Sequence, residues 1–340
     1  MNAEASTDHL IQKPCGVVFS QEELQHAFDG IASGKQPGID GLTKEAYAIN
    51  LEPKLRALAE SLAAGTYSME PVQRFWMPKP GGGLRPGALV CIEDKLVQRA
   101  LLHRIEARYM DKFSERSFCR SGWGRMAAAD QLFLDLMELH PSSVLKLDIK
   151  KFFENINHDK LDSILAARLS ESERELVRQW LGCAVIIPGA EDATEATLEV
   201  RKVGLEQGMP ISNLLANIYL DAALDPWLDA QLGTDGAWVR YLDDIIVCLS
   251  GDGDELADAV DARLGGFGLS LNRDKTQHAA GFSEAAVEMI TLGDHDPFGG
   301  IHFVGISFCP ARTSNGSYFV RTFDIKSAVQ EDADATSVDG

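Results

Sequence analysis

The sequence predicts an α+β fold in which helices pack on antiparallel sheet, and three observations predict it. Two adjacent acids, Asp243 and Asp244, sit between apolar runs at 237–241 and 245–249, the pattern of two strands joined by a tight turn at Leu242-Asp243. A third apolar run, 144–149, also carries an acid near its end, Asp148. Between the strand-like runs lie segments with apolar residues at helical spacing, such as Leu55, Leu58 and Leu62, or Leu96, Val97, Ala100, Leu101 and Ile105.

The double acid decides what kind of site to look for. Side chains alternate faces along a strand, so two neighbouring acids cannot both point into a core. An unpaired carboxylate is costly to bury, so at least one of them faces water or a cation. A lone Asp-Asp is most simply a solvated hairpin turn. A second strand ending in an acid changes that balance, because three carboxylates converging on one spot are stable only beside cations. Hard oxygen ligands without nearby His or Cys favour Mg²⁺, with Mn²⁺ as a substitute, over zinc.

Composition sets the bounds. With 340 residues and 45% apolar content, the chain can bury a sizeable core in two or three subdomains. Cysteines at 15, 91, 119, 183, 248 and 309 contain no C-x-x-C pair, which argues against a zinc site or a disulfide framework and fits a reducing cytoplasm. No charged start followed by an apolar stretch marks a signal peptide, and no apolar run is long enough to span a membrane. The net charge of −19 excludes a chain coated in basic residues. Its distribution is uneven: residues 74–125 hold eleven Lys and Arg against five Asp and Glu. That band reads either as solvated helix faces or as a phosphate-binding surface, and the asymmetry favours the second.

In chain order, residues 1–18 carry little pattern. Ser20 and Glu23 form a capping-box pair that opens a helix to about residue 31. Residues 35–41 are a turn-rich loop, and helices follow from Lys44 and over 51–64, stopped by Gly65. Strands at 72–78 and 86–92 flank a glycine-rich tip, 79–85, whose Lys79 and Arg85 could close on a polyphosphate, Arg as a fork and Lys as a point charge. Helices are expected at 93–109 and 127–138, then the strand carrying Asp148, helices at 158–169 and 171–183, and a hairpin with an acidic tip at 184–203. A Gly/Pro loop at 204–213 feeds one helix over 214–232. After the Asp-Asp hairpin come a helix at 253–264, a short strand at 269–272, one strand at 301–308 and another at 318–320. The acidic tail from Gln330 reads as disordered.

Taken together, a carboxylate cluster and a glycine-hinged cationic lid describe nucleotidyl transfer from a nucleoside triphosphate. The motifs, in order, resemble those of bacterial reverse transcriptases of the group II intron, retron and defence-associated superfamily. The resemblance spans roughly residues 20–310 and runs through Pro37-Gly38-Ile39-Asp40-Gly41, the 65–86 hairpin region, Asp94-Lys95-Leu96-Val97-Gln98-Arg99-Ala100-Leu101 and Leu147-Asp148-Ile149-Lys150-Lys151-Phe152-Phe153. It continues through Gln207-Gly208 with Ala216-Asn217-Ile218-Tyr219-Leu220, then Tyr241-Leu242-Asp243-Asp244 as the Y-x-D-D box, Leu271-Asn272 with Lys275-Thr276, and Phe303-Val304-Gly305. Any one of these is weak; eight in order are specific.

The resemblance implies a right-hand polymerase with fingers at 20–140, a palm at 141–310 and a reduced or absent thumb within 311–340, after a flexible 1–19. It implies Asp148, Asp243 and Asp244 as metal ligands, with the Ile149 carbonyl as a further oxygen. Phe153 matches the aromatic that stacks under the sugar and excludes a 2′-hydroxyl, Lys79 and Arg85 match the triphosphate contacts, and Gln207 lines the incoming nucleotide. Lys275 is a candidate proton donor to pyrophosphate, and Phe303-Val304-Gly305 should grip the primer end. The implied partners are an RNA template, a DNA or RNA primer and dNTPs, with a dedicated noncoding RNA and a partner protein or oligomer replacing the thumb as further candidates. Ser212-Asn213 stands where the family has Ser-Pro, which leaves template-independent or protein-primed synthesis as an alternative. A non-catalytic RNA-binding scaffold is the other. Antiphage defence is the preferred context, by family analogy.

Overall fold

The computed structural model describes residues 16–78, 83–187, 201–280, 301–312 and 317–324. In chain order its elements are α1 (Gln21–Asp29), α2 (Lys44–Ala48), α3 (Leu51–Ala64), β1 (Val72–Pro78), β2 (Leu84–Leu89), α4 (Ile92–Tyr109), α5 (Arg125–Leu139), β3 (Ser143–Asp148), α6 (Phe152–Asn155), α7 (His158–Leu165) and α8 (Glu171–Leu181). There follow β4 (Val185–Ile186), α9 (Ser212–Ala223), α10 (Asp225–Leu232), β5 (Gly236–Tyr241), β6 (Asp244–Leu249), α11 (Gly253–Gly265), β7 (Gln277–Ala280), β8 (Ile301–Phe303), β9 (Ile306–Arg312) and β10 (Tyr318–Asp324). They divide into two units, one drawn from Met1–Arg104, Leu165–Lys202 and Glu206–Ile211, the other from Ile105–Ile164, Val203–Leu205 and Ser212–Gly340.

In the first unit, Ser20 and Glu23 close a reciprocal capping box at the start of α1, and Gly65 ends α3 in the left-handed region with φ 70°. The stripe Leu55, Leu58 and Leu62 is buried, as is Leu96, Val97, Ala100 and Leu101 of α4. β1 and β2 form the expected hairpin, with Gln73 opposite Leu89 and Pro78 opposite Leu84, and β4 adds to β1 in parallel. The remainder of the acidic hairpin expected at 184–203 falls largely outside the described residues. Gly38 packs on the backbone of Cys91 so closely that a Cβ would lie 2.5 Å from the Cys91 nitrogen. This gives the Pro-Gly-Ile-Asp-Gly loop a packing reason for its first glycine.

In the second unit, a four-stranded antiparallel sheet runs β5-β6-β3-β7, and a three-stranded one runs β10-β9-β8. β6 reads as an unbroken apolar run because Ile245, Ile246, Val247, Cys248 and Leu249 are all buried, so both of its faces are covered. On one face α5 contributes Leu132 and Leu136 to a core with Val144, Val239, Ile246, Phe303 and Phe308. On the other face Arg240 reaches side chains of α9 and α10.

Three expectations need correction here. The single strand expected at 301–308 is two strands turning at Val304 and Gly305, both at positive φ (47° and 90°), the geometry of a two-residue hairpin. The single helix expected at 214–232 breaks at Leu224, because Pro226 lies in the first turn of α10 and cannot continue the hydrogen bonding of α9. The strand expected at 269–272 is one bridge, Leu271 opposite Ile149.

Candidate active site

Sheet register builds the site. Asp148 at the end of β3 lies directly opposite Asp244 at the start of β6, so both belong to the same face of the sheet. Tyr241 on β5 pairs with Asp244, which leaves Leu242 and Asp243 as the two residues of the intervening turn. Leu242 takes φ 60°, the left-handed conformation that such a tight hairpin demands at its first central position. The three predicted carboxylates are therefore brought to one end of one sheet.

Their electrostatics follow. Burial pushes the Asp243 carboxyl upward, Asp244 and Asp148 push it further, and Arg240 pulls it back. Asp244 is held by two groups: Lys146, two residues before Asp148 on the same face, brings Nζ to 3.4 Å of Oδ1, and the Val304 N–H donates to Oδ2 at 3.1 Å. Lys146 also donates to the His302 carbonyl at 2.5 Å, and Arg125 to the Val304 carbonyl at 3.4 Å. The β8–β9 turn is thus tied to the carboxylate edge. Asp244 Oδ1 is buried and receives no hydrogen bond. Among the described residues no group of three or more His, Cys, Asp or Glu closes into a metal cage.

The other predicted residues are placed as follows. The bridge at Ile149 engages the Asp148 carbonyl, which accepts from the Asn272 N–H at 2.7 Å, and the Lys150 N–H, which donates to the Ser270 carbonyl at 2.9 Å. It does not engage the Ile149 carbonyl. Phe153 is half-buried on α6, its ring 5.5 Å from that of the fully buried Phe152, and its carbonyl accepts from the Leu205 N–H at 2.8 Å. Lys275 is exposed, in the turn that follows Leu271.

Arg85 and Gln207 belong to the first unit. Arg85 is exposed on β2 opposite Met77, and Lys79 lies outside the described residues. The Gln207 carbonyl accepts from the Ala88 N–H at 2.7 Å. Beside it Glu206, almost fully buried, holds the guanidinium groups of both Arg74 and Arg201.

Sequence reasoning missed the group under the turn. Arg240 is fully buried and donates from Nε to Asp225 Oδ1 at 2.8 Å, from Nη2 to Asp225 Oδ2 at 2.5 Å, and from Nη1 to Asn217 Oδ1 at 2.6 Å and the Leu242 carbonyl at 3.2 Å. Asn217 is itself fully buried, accepting from Ser117 Oγ at 3.2 Å and donating to the Cys119 carbonyl at 3.3 Å. The available signal was a charged residue inside an otherwise apolar strand, with Asn217 and Asp225 eight residues apart before it.

The family described as reverse transcriptase (RNA-dependent DNA polymerase) matches residues 77–308. The chain is 26% identical over 308 residues to Protein YkfC of Escherichia coli strain K12, covering 78% of this chain and 79% of that one. It is 23% identical over 223 residues to the group II intron-encoded protein LtrA of Lactococcus lactis subsp. cremoris, covering 64% of this chain but 36% of LtrA. Among solved structures, apo telomerase from Candida tropicalis superposes with a TM-score of 0.48 at 14% identity, over 70% of this chain and 53% of that one.

Proposed function

Because the chain belongs to the reverse transcriptase (RNA-dependent DNA polymerase) family, we propose that it copies an RNA template into DNA, joining deoxynucleotides to a 3′-hydroxyl at Asp148, Asp243 and Asp244. The family is one of nucleotidyltransferases that use divalent metal ions. The single observation that carries the assignment to these residues is the register of Asp148 against Asp244, with Asp243 in the turn between the two strands.

The residues suit Mg²⁺. The donor set is all carboxylate oxygen, and Asp244 Oδ1 is buried without a hydrogen bond. Burial and its two acidic neighbours both penalise ionised Asp243, so a cation is what would complete the group. An open set rather than a closed cage is what Mg²⁺ ordinarily takes, since it binds one or two carboxylates and leaves the rest of its shell to water and substrate phosphates. Asp148, Asp243 and Asp244 would hold it, with the Ile149 carbonyl as the further candidate. When bound, it supplies the positive charge that offsets charge developing in an in-line displacement at phosphorus. In that displacement the bond from the 3′-oxygen to the α-phosphorus forms, the bond to the β-phosphate oxygen breaks, and pyrophosphate leaves.

The chain's own residues do the remaining work. The Val304 N–H and Lys146 orient Asp244. Phe153 stacks under the sugar and Lys275 donates a proton to pyrophosphate, roles that the family resemblance supports. The same resemblance assigns Lys79 and Arg85 to the triphosphate and Gln207 to the incoming nucleotide. It also supports fingers at 20–140 and a palm at 141–310, and synthesis in the service of antiphage defence, which plaque assays with active and inactive protein would test.

The direct experiment is primer extension by purified protein with Mg²⁺ and labelled dNTPs, with and without an RNA template and primer, beside an Asp243→Asn, Asp244→Asn control. Template-dependent product lost in the control is expected. Product that needs no template would replace this reading with untemplated or protein-primed synthesis. Biological activity that survives replacement of all three acids would replace it with an RNA-binding scaffold.

A further inference from the structure

Arg240 is a full cation with no access to solvent, directly beneath the turn that presents Asp243. A buried guanidinium needs partners for its donors, and here they are divided. Two donors form a bidentate pair with Asp225 at the start of α10, and Nη1 is shared between Asn217 on α9 and the Leu242 carbonyl. The pair to Asp225 explains how the charge is tolerated. It does not explain why the remaining donor is directed at the turn.

The turn needs that contact. Leu242 stands at φ 60°, a conformation that is unfavourable for a residue with a Cβ, which crowds the following carbonyl oxygen there. Nothing in a leucine side chain repays that by local hydrogen bonding, as Asn or Asp would. A peptide held in this state presents its carbonyl to Arg240 and carries Asp243 as the next residue. The strand before the turn is fixed as well: the Arg240 N–H donates to the Arg116 carbonyl at 2.9 Å, and the Phe118 N–H donates to the Arg240 carbonyl at 2.8 Å.

We propose that Arg240, anchored by Asp225 and Asn217, is the positioning residue of the carboxylate turn: it clamps the Leu242 carbonyl, holds Leu242 left-handed, and so fixes Asp243 where it serves metal binding. This rests on the function proposed above. Arg240 touches neither substrate nor metal in this role. It acts through the Leu242–Asp243 peptide, as outer partners do when they orient a ligand.

The test uses Arg240→Lys, which keeps a cation for Asp225 but has no planar fork to reach two further acceptors. Mn²⁺ binding, followed by the electron paramagnetic resonance of free Mn²⁺, is measured beside thermal unfolding and primer-extension kinetics. Arg240→Lys should remain folded, bind Mn²⁺ on the order of tenfold more weakly, the loss typical of a missing outer partner, and lose kcat with little change in KM for dNTP. Adding Leu242→Asn, a residue that tolerates positive φ unaided, should restore most of the Mn²⁺ affinity. A merely structural role would lower the unfolding temperature without this recovery.

Arg240→Lys with wild-type Mn²⁺ affinity and kcat overturns the proposal, as does failure of Leu242→Asn to restore binding when both variants are folded. Should Arg240→Lys not fold, Asn217→Ala carries the test, because it keeps the Arg240–Asp225 pair and removes the second anchor of Nη1, along with the contacts of Asn217 to Ser117 and Cys119. Weakened Mn²⁺ binding supports the clamp, and unchanged binding overturns it. Wild-type protein that neither binds Mn²⁺ nor makes DNA would instead sink the polymerase reading, a different result from an active wild type with an indifferent Arg240→Lys.

Discussion

Asp225→Ala should be among the most destabilising single changes in the second unit. Asp225 and Arg240 are both fully buried, and their bidentate contact is the only ion pair that either makes among the described residues. Two unit charges about 4 Å apart are worth roughly 4 kcal/mol at an effective dielectric of about 20. Removing one partner of a buried pair costs about 3–5 kcal/mol, because the other charge is left without compensation. The two routes agree, and the loss is a large part of the roughly 5–15 kcal/mol that holds a typical domain folded. Urea unfolding followed by tryptophan fluorescence measures it, since Trp238 is buried on β5 with its Nε1 donating to Asp229 Oδ1 at 2.7 Å. The double change Asp225→Leu, Arg240→Met separates charge from packing. With both charges gone, Asn217 Oδ1 still accepts from Ser117 Oγ, and the Leu242 carbonyl, in a half-exposed turn, can bind water. The double variant should recover to within roughly 2 kcal/mol of wild type, as replaced buried pairs do. A loss below about 1 kcal/mol for Asp225→Ala, well short of that range, would refute the reasoning. So would a double variant as unstable as the single.

Further predictions concern both units. Asp94 is buried, accepting from Tyr67 Oη at 2.6 Å and the Glu70 N–H at 3.2 Å, and burial outweighs those bonds to push its carboxyl up to about 7. A folded pKa above the unfolded one means the native state keeps a proton that the unfolded state loses. Wild-type stability relative to Asp94→Asn should therefore fall as pH rises from about 4 to 7 and level off above it, by a total of roughly 4 kcal/mol; parallel pH profiles in urea titrations would contradict this. Gly208 has φ 110°, and a Cβ there would meet the Ala88 carbonyl oxygen at 2.7 Å, so Gly208→Ala should cost about 2 kcal/mol or more in thermal unfolding. Phe153→Ala should let ribonucleotides in: the ratio of kcat/KM for dNTP over rNTP should drop on the order of tenfold, the value of one lost substrate contact, and an unchanged ratio would assign Phe153 to the core instead.

What the sequence made legible was local or periodic. The strands around Asp148, Asp243 and Asp244 were legible because an acid that interrupts an apolar run fits little besides a strand end or a turn, and Leu242-Asp243 had only two residues in which to turn. The register that sets Asp148 opposite Asp244 was not legible, since pairing between β3 and β6 is a contact across roughly a hundred residues that no window contains. The hairpin at Val304 was missed because a valine is a poor residue for positive φ, and only Gly305 marked the turn. Arg240 is conspicuous in the sequence, yet a charge in a strand does not announce its partner. The basic band of residues 74–125 makes the same point with sign reversed. Its excess of cations is local only in sequence: Arg74 reaches Glu206, Arg104 reaches Glu23 at 2.5 Å, Arg116 reaches Asp135 at 2.5 Å, and Arg120 donates to the Met110 carbonyl at 2.8 Å while its guanidinium lies over the Trp123 ring. Counting neighbours along the chain treats these arginines as a surface for phosphate, whereas the counter-charges of Arg74, Arg104 and Arg116 come from other elements and Arg120 is held locally. Of that band Arg85, Arg108, Lys112 and Arg125 are exposed, and a phosphate-binding expectation rests on exposed cations such as Arg85 on the β1–β2 hairpin. Charge reversal of Arg85 should raise KM for dNTP, and charge reversal of Arg116 should instead lower the unfolding temperature. If the two variants behaved alike, sequence-local charge would have been the better guide.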